Sequence, residues 1–283
     1  MGIGLVLGFF DGVHKAHRAV IESALNSSDK VVLITFKDSP SLFFANNAEY
    51  ILPRYASIKK IKDLGVHEVI ELDFPKIAQM TSEQYLEYLI QTYHPVSIST
   101  GFNHTFGLNK TGNSEMLNLN SGKYNYKYIC IQPVKINNKI VSSSLIKEYL
   151  REGKVEEANS LLESNFFLEG KVVHGAKLGR TIGFPTANIY YPKNIVKLPF
   201  GVYQAKLNID GLEKHAVMNW GMKPTVNNTI EPIVEIHILN YNGDLYEKNI
   251  KAEILKYIRG EEKFNSLDEL KNQIKKDIEL CLM

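Results

Sequence analysis

Ile3-Gly-Leu-Val-Leu7-Gly8-Phe-Phe10-Asp11-Gly12-Val-His14-Lys-Ala-His17 decides how the first half of the chain folds. Ile3 to Leu7 is a short apolar run with no basic segment before it, which reads as a first buried strand rather than a leader. Gly8 and Asp11-Gly12 are turn residues, and a helical pattern runs from His17 to Ser27. Strand, tight turn and helix in that order bring a nucleotide's phosphates to a helix N-terminus, where unpaired amides and the helix dipole favour negative charge. His14 and His17 are three apart, so on a helix they share a face and can reach the same phosphates. Taken alone, the two histidines also suit an ordinary helix start.

From Gly4 to about Pro133 the same alternation continues. Strands are expected at Lys30 to Phe36, Glu68 to Leu72, Val96 to Ser99 and Tyr126 to Ile131. Helices are expected at Tyr55 to Leu64, Ser82 to Thr92 (capped by Thr81 or Ser82) and Gly112 to Ser121. This is the pattern of a doubly wound α/β domain on a parallel sheet, assigned to residues 1–141. Residues 142–164 read as a helical linker broken at Gly153. After Asn165 the runs turn short and extended, at Phe167 to Val173, Gly201 to Ile209, Glu213 to Val217, Ile233 to Leu239 and Asn249 to Tyr257. Residues 165–283 are therefore expected to form an antiparallel β-barrel. Tyr241-Asn-Gly-Asp244 supplies a turn, and Ser266 to Leu282 a terminal amphipathic helix with Leu267, Leu270, Ile274 and Ile278 on one face.

Composition narrows the function classes. A net charge of +2 from 33 basic and 31 acidic residues creates no polyanion-binding field, so no nucleic-acid partner is expected. No run of about eighteen apolar residues is present, so no membrane partner is expected. The two cysteines, Cys130 and Cys281, lack metal-ligand spacing and form no disulfide framework, which fits a cytoplasmic protein, monomeric or weakly self-associating.

A second constellation lies in the barrel half. Gly175, Gly179 and Gly183 permit close backbone approach to an anion, Lys177 and Arg180 add positive charge, and Thr186 and Asn188 offer oxygens suited to Mg²⁺. Pro185 stiffens the turn. Glu235, in Pro232-Ile-Val-Glu-Ile-His-Ile-Leu239, is a carboxylate among apolar neighbours, an environment that raises proton affinity and suits a general base.

The stretch Gly170 to Asn188, GKVVHGAKLGRTIGFPTAN, resembles the ATP-binding entry of the riboflavin kinase family. Gly201-Val-Tyr203, Asn219-Trp-Gly-Met-Lys-Pro-Thr225, Val234-Glu235-Ile-His237, Tyr241 to Tyr246 and Phe264 to Leu270 follow in that family's order. Gly8 to His17 resembles the nucleotidyltransferase signature of bacterial FAD synthetases, so the chain as a whole looks like a bifunctional riboflavin kinase/FMN adenylyltransferase. The resemblance implies that ATP phosphorylates riboflavin to FMN in the barrel and adenylylates FMN to FAD in the first domain, both with Mg²⁺ and with no macromolecular partner. It implies catalytic roles for Glu235, His14 and His17. Nucleotide contacts fall to Gly8, Phe10, Asp11, Gly12, Asn103, Ser142, Ser143 and Lys147 in the first site, and to His174, Gly175, Lys177, Gly179, Arg180, Pro185, Thr186 and Asn188 in the second. Thr186 and Asn188 would also take the metal, and Trp220, Met222, Lys223 and Thr225 the flavin.

The chain departs from that pattern at several places, among them Ser144 for a threonine and Met222 and Lys223 for Thr and Arg, and three departures bear most on the first domain. Asp38-Ser39 stands where a histidine is usual, Asn103 replaces an acid, and Lys147 replaces an arginine. Lysine keeps the charge but loses the bidentate fork, and an amide offers no anion to a metal. These changes motivate an alternative in which only the kinase survives beside a degenerate adenylyltransferase domain. A non-catalytic, flavin-responsive regulator is the alternative from another class.

Overall fold

A computed structural model describes residues 2–45, 48–175, 178–224 and 230–282. The chain divides into two compact units, Met1–Ser143 and Ser144–Met283. In the first, β1 (Ile3–Leu7), β2 (Lys30–Phe36), β3 (Glu68–Leu72), β4 (Pro95–Gly101) and β5 (Lys127–Ile131) form a parallel sheet in the order β3-β2-β1-β4-β5. Helices α1 (Lys15–Leu25), α2 (Pro40–Ala45), α3 (Arg54–Asp63), α4 (Phe74–Ile77), α5 (Ser82–Tyr93) and α6 (Ser114–Tyr124) lie between them. Alternation along the strands explains the two-sided core. Leu5, Leu7, Val32 and Ile34 pack with Leu86, Leu89 and Leu117 of α5 and α6, whereas Val6, Val31 and Leu33 pack with Ile21, Ala24 and Ile61 of α1 and α3. Strand order reverses between β1 and β4, and in open sheets of this type ligands bind beyond the carboxyl ends of the strands at that switch point. A small hairpin of β6 (Lys135–Ile136) and β7 (Lys139–Ile140) follows β5. It was not expected, because each strand is only two residues long.

Helices α7 (Ser143–Arg151) and α8 (Val155–Leu161) are separated at Gly153, whose φ of +75° suits glycine. Asn159 of α8 bonds the segments around it, donating from Nδ2 to Ile254 O and accepting the Phe166 amide. The second unit is a six-stranded antiparallel sheet in the order β8-β13-β10-β11-β12-β9. Its elements in chain order are β8 (Phe167–Lys171), a single turn α9 (Leu178–Thr181), β9 (Ala187–Tyr190), β10 (Gly201–Ile209), β11 (Leu212–Pro224), β12 (Ile230–Ile238), β13 (Asn249–Arg259) and α10 (Leu267–Leu282). The edge strands β8 and β9 approach through the Val173–Asn188 bridge, which nearly closes the barrel.

Two expectations need correction. Tyr241 to Asp244 is no hairpin turn, because β12 pairs with β11 and β9, and β13 with β10 and β8. The buried side of α10 carries Asp277 and Cys281, while Leu267 is 55% exposed. An ion pair fixes that side, as described below.

Candidate active site

Beyond β1 the chain enters a turn in which Phe10, Gly12 and Val13 all have positive φ, at 59°, 77° and 45°. For the two non-glycine residues this costs roughly 1–2 kcal/mol each, so the surroundings must hold it. Phe10 and Val13 are 2% and 0% exposed, anchored in the core. The Phe9 carbonyl accepts from Thr35 Oγ1 at 3.1 Å and Arg54 Nη1 at 3.0 Å. The Ile51 amide donates to Asp11 Oδ1 at 2.9 Å, and Ser143 Oγ to Asp11 O at 3.1 Å. A Cβ on Gly8 would lie 2.8 Å from the Phe10 ring.

His14 is the N-cap of α1, not a residue on its helical face. His17 N donates to His14 Nδ1 at 3.2 Å and His14 N to His17 Nδ1 at 3.4 Å, a reciprocal capping box. The rings stack 3.5 Å apart with planes 13° from parallel, and the Phe10 ring lies 4.7 Å from that of His17. Accepting at Nδ1 places the proton of each neutral imidazole on Nε2. Burial pushes the His14 pKa down to about 4; burial, reinforced by His14, holds His17 well below the ordinary range. At neutral pH the pair is uncharged and carries two Nε2–H donors.

Asn103 is exposed on the loop leaving β4, the neighbour of β1 across the switch point. Phe10 supports the turn from within the core, and the half-buried Ser143 ties it down. Ser144 to Arg151 of α7, with Lys147, belong to the second unit, and Ser142 and Ser143 close the first.

In the barrel, the segment expected as a turn becomes β9 at Ala187. Asn188 faces Glu235 in register, and Glu235 faces Asn219 on β11. Alternation turns Val234 and Ile236 into the core, both 0% exposed, while Glu235 and His237 share the opposite face. Glu235 is thus half-buried on a cavity wall, not embedded among the apolar residues flanking it in sequence. That cavity, of about 360 Å³, is walled by Thr186 just before β9, by Asn219, Glu235 and His237 on the strands, and by Leu270, Ile274 and Asp277 of α10. A second cavity of about 560 Å³ is lined by Arg180, Pro185, Thr186, Ile236, Ile238 and the loop Tyr241 to Tyr246. The two cavities lie against opposite faces of β12 and share Thr186.

Loop packing explains the glycines. A Cβ on Gly175 would sit 2.7 Å from Asn188 Nδ2, and one on Gly179 2.4 Å from Phe184 O. Gly183 has φ of +92°. Pro185 O contacts His237 Nδ1 at 2.8 Å, and Phe184 meets the His237 ring edge-on at 5.5 Å, fixing the segment that carries Thr186. His174 stacks on Tyr246 at 4.1 Å. Lys177 and Thr225 lie outside the described residues, as do the side chains of Met222 and Lys223.

Trp220, expected at the flavin, lies in the core of the barrel in this structure. It is 1% exposed, packs 4.4 Å from Tyr191, and donates its only polar hydrogen to Leu198 O at 3.0 Å. Asp277, 2% exposed, takes a bidentate pair from Arg259, Nε to Oδ1 at 3.0 Å and Nη2 to Oδ2 at 2.8 Å, holding α10 against the cavity. Arg54, Thr35, Asn219, His237, Arg259 and Asp277 were not foreseen, since each acts through a partner distant in sequence.

The comparisons with known proteins agree with this division. A sequence model of the riboflavin kinase family matches residues 162–282, and one of the FAD synthetase family matches residues 2–145. The bifunctional riboflavin kinase/FMN adenylyltransferase of Bacillus subtilis is 34% identical over 96% of this chain and 89% of its own. The Escherichia coli protein of the same description is 32% identical over 98% and 90%. A Streptococcus pneumoniae structure, described as a macrolide-efflux protein, is 31% identical with a TM-score of 0.90, covering 99% of this chain and 93% of that one. Among the described residues no helix is long and apolar enough to cross a membrane.

Proposed function

The chain belongs to the bifunctional riboflavin kinase/FMN adenylyltransferase family, and on that premise we propose how its own residues carry the two reactions and where its functional boundaries fall. In the first reaction the riboflavin 5′-hydroxyl attacks the γ-phosphorus of ATP, giving FMN and ADP. In the second the FMN phosphate attacks the α-phosphorus of ATP, giving FAD and pyrophosphate. Residues 1–141 carry adenylyl transfer, 142–164 form a helical linker, and 165–283 carry the kinase.

The observation that carries the kinase assignment is the Asn188–Glu235 register pair beside Thr186, where two cavities on opposite faces of β12 meet. ATP occupies the cavity under the Tyr241 to Tyr246 loop, with Arg180 and the glycine loop at its phosphates. The flavin occupies the one against α10, whose lining of Phe264, Leu270 and Ile274 suits an apolar ring. Glu235 accepts the proton of the 5′-hydroxyl as the new bond forms. His174 packs Tyr246 over the nucleotide side.

Thr186 and Asn188 fit Mg²⁺ as a donor set of neutral oxygens, which suits an ion that keeps water and substrate phosphates as its other ligands. Among the described residues no cluster of three histidine, cysteine or acidic side chains offers an all-protein alternative. Bound there, Mg²⁺ would neutralise charge on the transferring phosphoryl group.

In the first unit the neutral His14–His17 pair donates from Nε2 to the α-phosphate as charge accumulates, and the N-terminus of α1 adds its amides. The exposed amide of Asn103 serves as a nucleotide contact. Cys130 and Cys281 are free thiols, in keeping with a reducing cytoplasm; the protein acts on small-molecule substrates as a monomer or weak homo-oligomer. The E235Q variant tests the kinase assignment: FMN formation should collapse while FAD formation from supplied FMN persists. Undiminished FMN formation would remove Glu235 as the base.

A further inference from the structure

We propose that Arg54 is a positioning residue for adenylyl transfer, acting through the Phe9 carbonyl on the turn that presents His14 and His17; the proposal rests on the adenylyltransferase reading of the first unit.

Arg54 opens α3, far from the turn in sequence, and its side chain is 18% exposed. An ion pair that merely pinned α3 to the sheet would turn the guanidinium toward Glu71. Only Nε does so, at 3.1 Å. Both terminal nitrogens go elsewhere, Nη1 to Phe9 O at 3.0 Å and Nη2 to Thr35 Oγ1 at 2.8 Å. Thr35 Oγ1 itself donates to Phe9 O at 3.1 Å, so Arg54, Thr35 and Phe9 close a triangle on one carbonyl. The guanidinium also lies over the Phe9 ring, 5.0 Å from its centroid.

That carbonyl immediately precedes Phe10, the first of the three positive-φ residues that lead to His14. The peptide joining Phe9 to Phe10 therefore sets the direction in which the strained turn leaves β1. A charged donor and a hydroxyl on the same oxygen fix that direction more firmly than a neutral bond alone. The planar fork is what allows three acceptors to be met at once. A lysine ammonium reaches one or two of them but cannot hold the triangle. Glu71 orients the fork, and Asp11, bound by the Ile51 amide and the Ser143 hydroxyl, secures the far side of the turn.

The test uses the full-length protein with R54A and R54K, measuring FAD formation from FMN under saturating Mg²⁺-ATP, and FMN formation from riboflavin by the second unit of the same molecules. For R54A, kcat for FAD formation should fall about tenfold or more, with KM for FMN and ATP within about threefold, a loss confined to transition-state positioning. R54K should lie between R54A and the wild type, and FMN formation should be unchanged in both. A merely structural role would change KM and kcat together, or neither. Wild-type kcat in R54A overturns the proposal, as does a loss lying wholly in KM. If R54A no longer binds ATP in its first unit, R54K decides: a reduced kcat with retained KM supports the proposal and a wild-type kcat overturns it. Wild-type protein that makes no FAD from FMN defeats the adenylyltransferase reading instead, an outcome visible without any variant.

Discussion

Asn188 and Glu235 are register partners on adjacent antiparallel strands, β9 and β12, although 47 residues separate them by number in the sequence. Strand pairing therefore sets the spacing between an amide suited to metal and phosphate and a carboxylate suited to a hydroxyl, without relying on a mobile loop. Replacing Glu235 by glutamine keeps the shape and removes the proposed base. The expected loss in kcat for FMN formation is about 10²- to 10⁴-fold, measured by separating riboflavin from FMN during turnover. KM for riboflavin should change little, and a selective rise in KM would assign Glu235 to binding.

Gly175 lies so close to Asn188 that the smallest addition interferes. G175A places a methyl group 2.7 Å from Asn188 Nδ2, and Asn188 is 5% exposed with little room to retreat. FMN formation is expected to fall by about tenfold or more, the size of effect that a misplaced reacting group produces. FAD formation from FMN should be untouched. Wild-type kinase activity in G175A would show that the loop moves away from Asn188 when substrates bind.

Protonation of the histidine pair opposes the folded state of the first unit. The native His14 pKa is about 4, below its ordinary 6.5, so between those values the unfolded chain binds more protons than the native one. Stability is then fully present above about pH 6.5 and lost as pH falls through the window toward 4, by about 3 kcal/mol if His14 alone is protonated. His17, lowered by burial and by His14, acts in the same direction. H14N keeps a capping oxygen in place of Nδ1 but has no Nε2–H. It should therefore fold, show a shallower loss of thermal stability between pH 7 and pH 5, and make little FAD. An unchanged pH slope would contradict the capping arrangement.

The Arg259–Asp277 pair holds α10 against the proposed flavin cavity. D277A leaves the Arg259 guanidinium, 17% exposed, without its bidentate partner. Removing one member of a buried pair costs about 3–5 kcal/mol. Denaturant unfolding followed by kinase activity should register that loss, and KM for riboflavin should rise as the cavity wall loosens. Intact stability would mean that α10 is held mainly by the packing of Cys281 and Ile278 against Val202 and Val217.

Much of this was legible in the sequence, and what was missed has a common cause. β1, β2 and β3 fall on the residues expected of them, and for β1 and β2 the reason is two-sided burial, which gives near-continuous apolar runs with sharp ends. Residues Gly8 to His17 pointed to a strand, turn and helix start, yet not to His14 as the cap, since capping depends on the φ and ψ of one residue. Gly175 and Gly179 were read as making room for an anion; in the structure Gly175 makes room for Asn188 of β9 and Gly179 for the Phe184 carbonyl. Alternation around Glu235 was ambiguous until the register with Asn188 and Asn219 fixed which face it takes. Trp220 had no local signal to distinguish a ligand wall from a core, and only its bond to Leu198 O decides. Arg54, His237 and Asp277 act through contacts that no single stretch of sequence contains.

The most direct test of the bifunctional assignment is a time course of purified protein with Mg²⁺-ATP and either riboflavin or FMN, resolving riboflavin, FMN and FAD by chromatography. The account predicts FAD from both substrates, with FMN appearing first when riboflavin is supplied, which would also show that adenylyl transfer tolerates Asn103 and Lys147. FMN accumulating without FAD, or FAD arising only from supplied FMN, would contradict it by leaving one of the two units without its reaction.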